Sequence, residues 1–298
     1  MEPVNIRLPE VKLKKLDALA AKSGTTRSEV IRHALTIYFQ ILENIGGFID
    51  LRSLKIAPDT VSSTKWGDLV IMRLANGRVF VLANSSSGGI GPKRGDSVNL
   101  DGKLLGQLMA RTVLIKALSS GAQPVGLVVN LSVEFFPTGA LIFQGVREEA
   151  HKIQSLDILE GHTEENIETS QTGIGITALG ICIERELKIG NSMKNDIIIA
   201  IGDPKVGKEV LTAQTIVMVE DVQRLAKMAF VHEIIPVGHA GIKGSLELMQ
   251  ARYKYNPGQD IDKSAGPSTV VLATLEEKNI EVLKRYIKKP VRVIGWVL

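Results

Sequence analysis

The stretch LLGQLMARTVLIKALSSGAQPVGLVVNLSV at residues 104–133 carries the key to the fold. Leu104 to Ser119 is mostly apolar and contains no proline, so it reads as a helix. Gly121 stands where a helix C-cap is expected, and Pro124 keeps the helix from resuming. Val125 to Asn130 then reads as a strand. Working outward, Leu69 to Met72, Val79 to Leu82 and Leu141 to Gly145 are further strand-like runs. Strands alternating with a long helix imply a mixed α/β domain.

Just before that helix runs LANSSSGGIGPKRGDSV, residues 82–98. Gly88, Gly89 and Gly91 let backbone N–H groups turn toward a common point, which is how loops cradle phosphate. The same composition also suits a plain connector between two strands. Lys93 offers a phosphate contact or an ordinary surface charge. Asp96 and Asp101 offer metal ligands or turn residues, because aspartate bonds readily to nearby backbone.

At 298 residues, 44% hydrophobic and 23% charged, the chain is long enough for one large domain or two smaller ones. No apolar run is long enough to span a bilayer, and MEPVNIRLPE lacks the apolar core of an export signal. A soluble, cytoplasmic protein with no membrane partner is expected. The single cysteine, Cys182, excludes an intrachain disulfide and sits in an apolar run as a buried thiol. The net charge of +4 permits an acidic partner without requiring one.

The first forty-five residues form a separate unit. Val4, Ile6 and Leu8 alternate with Asn5 and Arg7 as a short strand, which Pro9 stops. Leu13, Leu16, Leu19 and Ala20 form one helical stripe closed at Gly24. Thr26 and Glu29 make a capping box for a second helix bearing Val30, Ile31, Ala34, Leu35, Tyr38 and Phe39. One strand and two helices bury too little alone, so a second copy should pair with them. The pattern Ile6–Pro9, then Gly24–Glu29, resembles the ribbon-helix-helix DNA-binding module. The resemblance implies a dimer whose ribbon puts Asn5 and Arg7 against base edges of double-stranded DNA, while Thr26 and Arg27 at the second helix hold a phosphate. Seven Lys or Arg against five Asp or Glu over residues 1–45 is a small basic excess, and a ribbon serving only to dimerise also fits. Gly46, Gly47 and Pro58 mark a linker over 46–62.

Beyond the linker, GGIGPK at 88–93, ARTVLIKALSSGAQPVGL at 110–127 and EGHTEENIETSQTGIGITALG at 160–180 follow one another in the order of a known superfamily. NDIIIAIGDPKVGKEV at 195–210, VHEIIPVGHAGIKG at 231–244 and SAGPSTVVLA at 264–273 continue it. The large domain thus resembles the AIR synthase (PurM-like) superfamily, which includes thiamine-monophosphate kinase, selenophosphate synthetase and a hydrogenase maturation protein. GHTEENIETSQTG and SAGPST are most similar to its alpha-ribazole kinase branch. The fold implied is α+β: a ribbon-helix-helix module over 1–45 and a two-part α/β domain, its ATP-binding half over 63–155 and its second half over 156–298. The resemblance further implies a homodimer through the large domain, ATP beneath the glycine loop, and carboxylates holding magnesium.

Transferred residue by residue, it assigns nucleotide binding to Asn84, Ser87, Gly88, Gly89, Gly91, Lys93, Thr163 and Asn166. Catalysis falls to Asp96 and Glu164, and magnesium to Asp96, Asp101 and Glu164. Glu134, Glu160, Glu165 and Asn130 are further candidates for oxygen ligands. The chain departs from the family where metal-holding acids are usual: Asn84 to Ser87 are neutral, Ile115 and Lys116 stand in the long helix, and His162 replaces an aspartate. His151, His162, His232 and His239 show no zinc spacing, and Glu148 with Glu149 read as a solvated edge. Two functions therefore stand open. One is an ATP-dependent riboside kinase carrying a DNA-binding module; the other is a ribbon-helix-helix regulator whose large domain senses a nucleotide or metabolite without catalysis.

Overall fold

A computed structural model describes residues 8–45, 61–256 and 260–298. The chain divides into two compact units, residues 1–61 with 74–77, and residues 62–73 with 78–298.

In the first unit, α1 (Glu10–Ser23) ends at Gly24, which is left-handed at φ 63° and donates to Ala20 and Ala21. α2 (Arg27–Ile45) opens on the expected capping box. The Thr26 N–H donates to Glu29 Oε2 at 3.0 Å, and the Glu29 N–H returns to Thr26 Oγ1 at 3.3 Å. The Thr25 hydroxyl joins them at 2.6 Å. Hydrogen bonds from Thr25, then from Thr26, hold the Glu29 carboxyl down at about 2. A depressed carboxyl stabilises the fold fully above its unfolded pKa near 4.5, and that contribution is lost as pH falls through about 2. An NMR titration of Glu29 should therefore place it near 2, and Thr25→Val should move it back toward 4.5; an unmoved value would show that the box contributes nothing. Only Ala20 of α1 is buried, while Leu19, Leu35 and Phe39 are exposed. The expected strand over 4–8 and residues 46–60 of the linker lie outside the described residues.

The second unit contains two main sheets. Strands β1 (Val61–Trp66), β2 (Leu69–Leu74), β3 (Arg78–Gly88), β4 (Ile90–Gly91) and β5 (Val98–Asn99) precede α3 (Gly102–Ser119). β6 (Gln123–Leu131), α4 (Ala140–Ala150), β7 (Asp157–Glu160) and β8 (Gly173–Ile183) follow. The first sheet has the order β1-β2-β3-β8-β6-β7, antiparallel from β2 to β6, with β7 running parallel beside β6. β4 and β5 pair separately.

The second half comprises β9 (Ile197–Ile201), α5 (Glu209–Thr212), α6 (Val219–Lys227), β10 (Val231–Pro236), α7 (Gly241–Leu246), β11 (Tyr253–Tyr255), β12 (Val271–Leu275), α8 (Ile280–Tyr286) and β13 (Val291–Val297). Its sheet runs β10-β12-β9-β13-β11. Every residue of β9 and β12 is buried, as the continuous apolar runs IIIAI and VLATL require for strands covered on both faces.

The helix expected over 104–119 is α3, and it packs on β3, β8, α4 and α6. Its central residues Ala110 to Ile115 are all buried, Arg111 and Thr112 included. Cys182 is buried, and loss of solvation pushes its thiol up to about 11.

Three expectations are corrected. Leu141 to Gly145 belongs to α4, because Ile142, Phe143, Val146 and Ala150 recur at helical spacing and bury one stripe. Glu149, on that stripe, is buried and paired with Lys152 at 3.0 Å, while Glu148 alone faces water. Asn84 to Ser87 are also not loop. They continue β3 against β8, with Asn84 opposite Thr177 and Ser87 opposite Ile174, since a partner strand of equal length satisfies their backbone.

Candidate functional site

Most of the residues assigned to nucleotide and metal, Asp101 and Asn84 excepted, gather at one end of the first sheet. Gly88 ends β3 opposite Gly173, and Leu131 ends β6 opposite Ile174. The loop from Gly89 to Ser97 folds back on the strand end: the Gly89 N–H donates to Thr172 at 2.9 Å and the Gly95 N–H to Ser170 at 3.0 Å. Asp96 locks this arrangement. Its carboxylate accepts from the Lys93 N–H at 2.9 Å, the Thr172 N–H at 2.7 Å and the Thr172 hydroxyl at 2.7 Å. Gly91, at φ 155°, allows the approach, because a Cβ there would stand 2.4 Å from Thr172 Oγ1. Four loop amides, those of Gly89, Lys93, Gly95 and Asp96, are thus donated inside the protein.

Lys93 reaches across the loop to Glu134, Nζ to Oε2 at 2.5 Å, and the Thr138 hydroxyl donates to the other oxygen at 2.5 Å. Partial burial alone would raise the Glu134 carboxyl, but Lys93 and Thr138 outweigh it and hold the group below the usual carboxylate range. The segment from Gly161 to Glu165 lies along the end of β6, with Leu131 donating to His162 at 2.8 Å and Glu164 to Val133 at 3.0 Å. Glu165 accepts from the Phe135 N–H at 2.8 Å and the Thr163 hydroxyl at 2.9 Å. Glu164 accepts from the N–H groups of Asn166 at 3.0 Å and Ile167 at 3.3 Å. Lys93, Glu134, Thr163, Glu164 and Asn166 are therefore neighbours, and Asp96 shares the loop with Lys93.

Asp101 is placed elsewhere. It caps α3 by accepting from Leu104 at 3.1 Å. Asn84 lies four residues before Gly88, roughly 13 Å back along β3. There its carbonyl accepts from Lys116 Nζ at 2.9 Å, and the same ammonium pairs with Asp68 at 2.8 Å. Lys116 and Asp68 border a cavity of about 180 Å³ with Trp66, Gly238, His239 and Ser268. The indole Nε1 of buried Trp66 has no hydrogen-bond partner among the described residues.

Sequence reasoning singled out Lys116 only as the place of a missing acid, and it passed over Thr172, Asp68 and Trp66. Thr172 lies within GHTEENIETSQTG beside other threonines, and nothing local distinguishes it. In the first unit Thr26 serves as the helix cap, and Arg27 Nη2 bonds Asp17 of α1 at 2.7 Å. Asn5 and Arg7 lie outside the described residues.

The opposite face of the first sheet is half exposed and apolar: Val70, Phe80, Leu82, Val128, Leu179 and Ile181 line it. Among the described residues, no helix is long and apolar enough to cross a membrane.

Residues 2–38 match the family model for ribbon-helix-helix protein, copG family. The chain is also similar to the crystal structure of thiamine-monophosphate kinase from Stenotrophomonas maltophilia K279a, with TM-score 0.56 and 14% identity over 81% of this chain and 89% of that one. For the hydrogenase maturation protein HypE in complex with ATP the values are 0.51 and 15%, over 72% and 76%. For AaThiL complexed with AMPPCP and TMP they are 0.52 and 10%, over 80% and 84%. No curated protein matches the chain in sequence. A ribbon-helix-helix segment is thus joined to a domain with the PurM-like fold expected from its glycine motifs.

Proposed function

We propose that the protein is a ribbon-helix-helix DNA-binding regulator whose PurM-like domain binds a nucleotide-type ligand without transferring phosphate. The observation carrying this reading is Lys116, whose ammonium lies 2.9 Å from the Asn84 carbonyl and 2.8 Å from Asp68. Phosphoryl transfer in this fold relies on divalent cations that neutralise the phosphate oxygens. Resemblance leads one to expect a metal-holding acid near both Asn84 and Lys116, and here a neutral strand residue and a lysine ammonium already paired with Asp68 stand in those places.

The remaining carboxylates do not fit magnesium. Asp96 is committed to Thr172 and Lys93, Glu134 to Lys93 and Thr138, and Glu164 to Asn166 and Ile167. Among the described residues no group of three His, Cys, Asp or Glu side chains is arranged to hold a metal ion. Lys116, with its ammonium at the border of the small cavity, supplies a cationic donor for a ligand oxygen there. ATP or a related nucleotide is the ligand class that the superfamily resemblance supports. A second copy would cover the apolar face of the first sheet and complete the DNA-reading ribbon.

The test is to incubate the protein with ATP, magnesium and a panel of ribosides, and to measure its binding to its own upstream DNA. No phosphorylated product, ATP binding that persists in EDTA, and salt-sensitive DNA binding that Arg7→Ala weakens about tenfold or more are expected. Turnover above background would favour the kinase instead. DNA affinity unchanged by Arg7→Ala would remove the regulator.

A further inference from the structure

α3 carries a second internal cation on another side. Arg111 lies five residues before Lys116, and so about 140° round the helix. It is only 5% exposed, and its Nε has no hydrogen-bond partner among the described residues. The rest of the guanidinium is weakly held: Nη1 stands 3.9 Å from the Met218 sulfur and Nη2 3.4 Å from the Pro267 carbonyl.

The nearby carboxylates are already engaged. Glu148 takes Lys103 at 2.8 Å and Gln107 at 2.9 Å, and Glu149 takes Lys152 at 3.0 Å. Glu149 is near enough to act on Arg111 through space, but no carboxylate of the described residues forms an ion pair with it. A buried guanidinium left this way is costly unless something else brings it an anion.

Arg111 lines a cavity of about 560 Å³, distinct from the one beside Lys116. Leu104, Leu108, Val210 and Met218 form its apolar wall; Glu148 and Glu149 also line it, each paired with a lysine, and Lys289 stands at its border bonded to the Gln214 carbonyl at 2.9 Å. We propose that this cavity binds a small organic carboxylate, with the carboxylate on Arg111 and the apolar body against Leu104, Leu108 and Val210. The planar fork of a guanidinium matches a carboxylate, while the apolar wall gives a bare inorganic ion nothing to replace its hydration. A single buried cation also suits a monoanion better than a polyphosphate. The site is independent of the nucleotide reading, because no residue is shared between the two cavities.

Calorimetric titration of the full chain with sodium hexanoate tests this, with hexanol and inorganic phosphate as companions. Hexanoate should bind at least about tenfold more tightly than hexanol, and phosphate should not bind at this cavity. Arg111→Met, which keeps volume but removes charge, should abolish that preference. Leu108→Trp, which fills the cavity and leaves Arg111 in place, should abolish binding of both organic probes. Equal affinity for hexanoate and hexanol, no hexanoate binding by the natural chain, or unchanged binding by Arg111→Met would overturn the proposal. So would phosphate binding that Arg111→Met removes. Where Arg111→Met does not fold, Leu108→Trp decides: unchanged hexanoate affinity there overturns it.

Discussion

Asp96→Ala should destabilise the large domain by about 3 kcal/mol, measured by denaturant unfolding, and open the loop over 89–97 to protease. The carboxylate accepts three hydrogen bonds, from the N–H groups of Lys93 and Thr172 and from the Thr172 hydroxyl. Thr172 is 1% exposed, so its donors cannot turn to water when the acceptor is removed. Each buried group left unpaired costs about 1–3 kcal/mol, and part of the sum is recovered as the loop relaxes. Asp96→Asn, which keeps one acceptor oxygen, should lose roughly half as much. The pair of variants separates two roles for Asp96. A residue held in reserve for metal would show little change in stability when truncated, and an unaltered unfolding midpoint would rule out the structural role assigned here.

Gly145→Ala should cost still more, at least about 3 kcal/mol, because α3 and α4 touch through their backbones. A Cβ on Gly145 would stand 1.8 Å from the Lys103 carbonyl oxygen and 2.9 Å from the Gln107 nitrogen. The opposing glycine repeats the contact, since a Cβ on Gly106 would stand 2.1 Å from the Ile142 carbonyl oxygen. No rotamer change relieves a clash with backbone; the helices must separate and leave Ile142, Phe143 and Val146 imperfectly packed. With a net stability of roughly 5–15 kcal/mol typical of folded proteins, such a loss should appear as a lowered melting midpoint and poor soluble yield. Gln144→Ala, one position away on the exposed side of the same helix, should change stability by no more than about 0.5 kcal/mol. Equal melting of the two variants would show that the crossing is looser than its geometry.

Local signals were legible where one stretch of chain decides its own conformation. The helix before Gly121, the cap at Thr26 and Glu29 and the left-handed Gly24 all depend on residues within a turn or two. Leu141 to Gly145 marks where that legibility ends. A short apolar run is equally compatible with strand and helix, and only its docking against α3 selects the helix. The serine run failed for a related reason, because its strand character comes from β8, about ninety residues away, rather than from its own composition.

By itself, then, the amino-acid order determined a small capped-helix unit and a larger α/β domain whose glycine motifs stand in the order of the PurM-like fold. Only the tertiary structure decided how its charges are spent. Asp96 meets Thr172 across 76 positions, Lys93 meets Glu134 across 41, and Lys116 meets Asn84 across 32. Whether a carboxylate is free to hold a metal depends on what lies within about 3 Å of it, and such partners are brought by sheet register and helix packing rather than by neighbours in the chain.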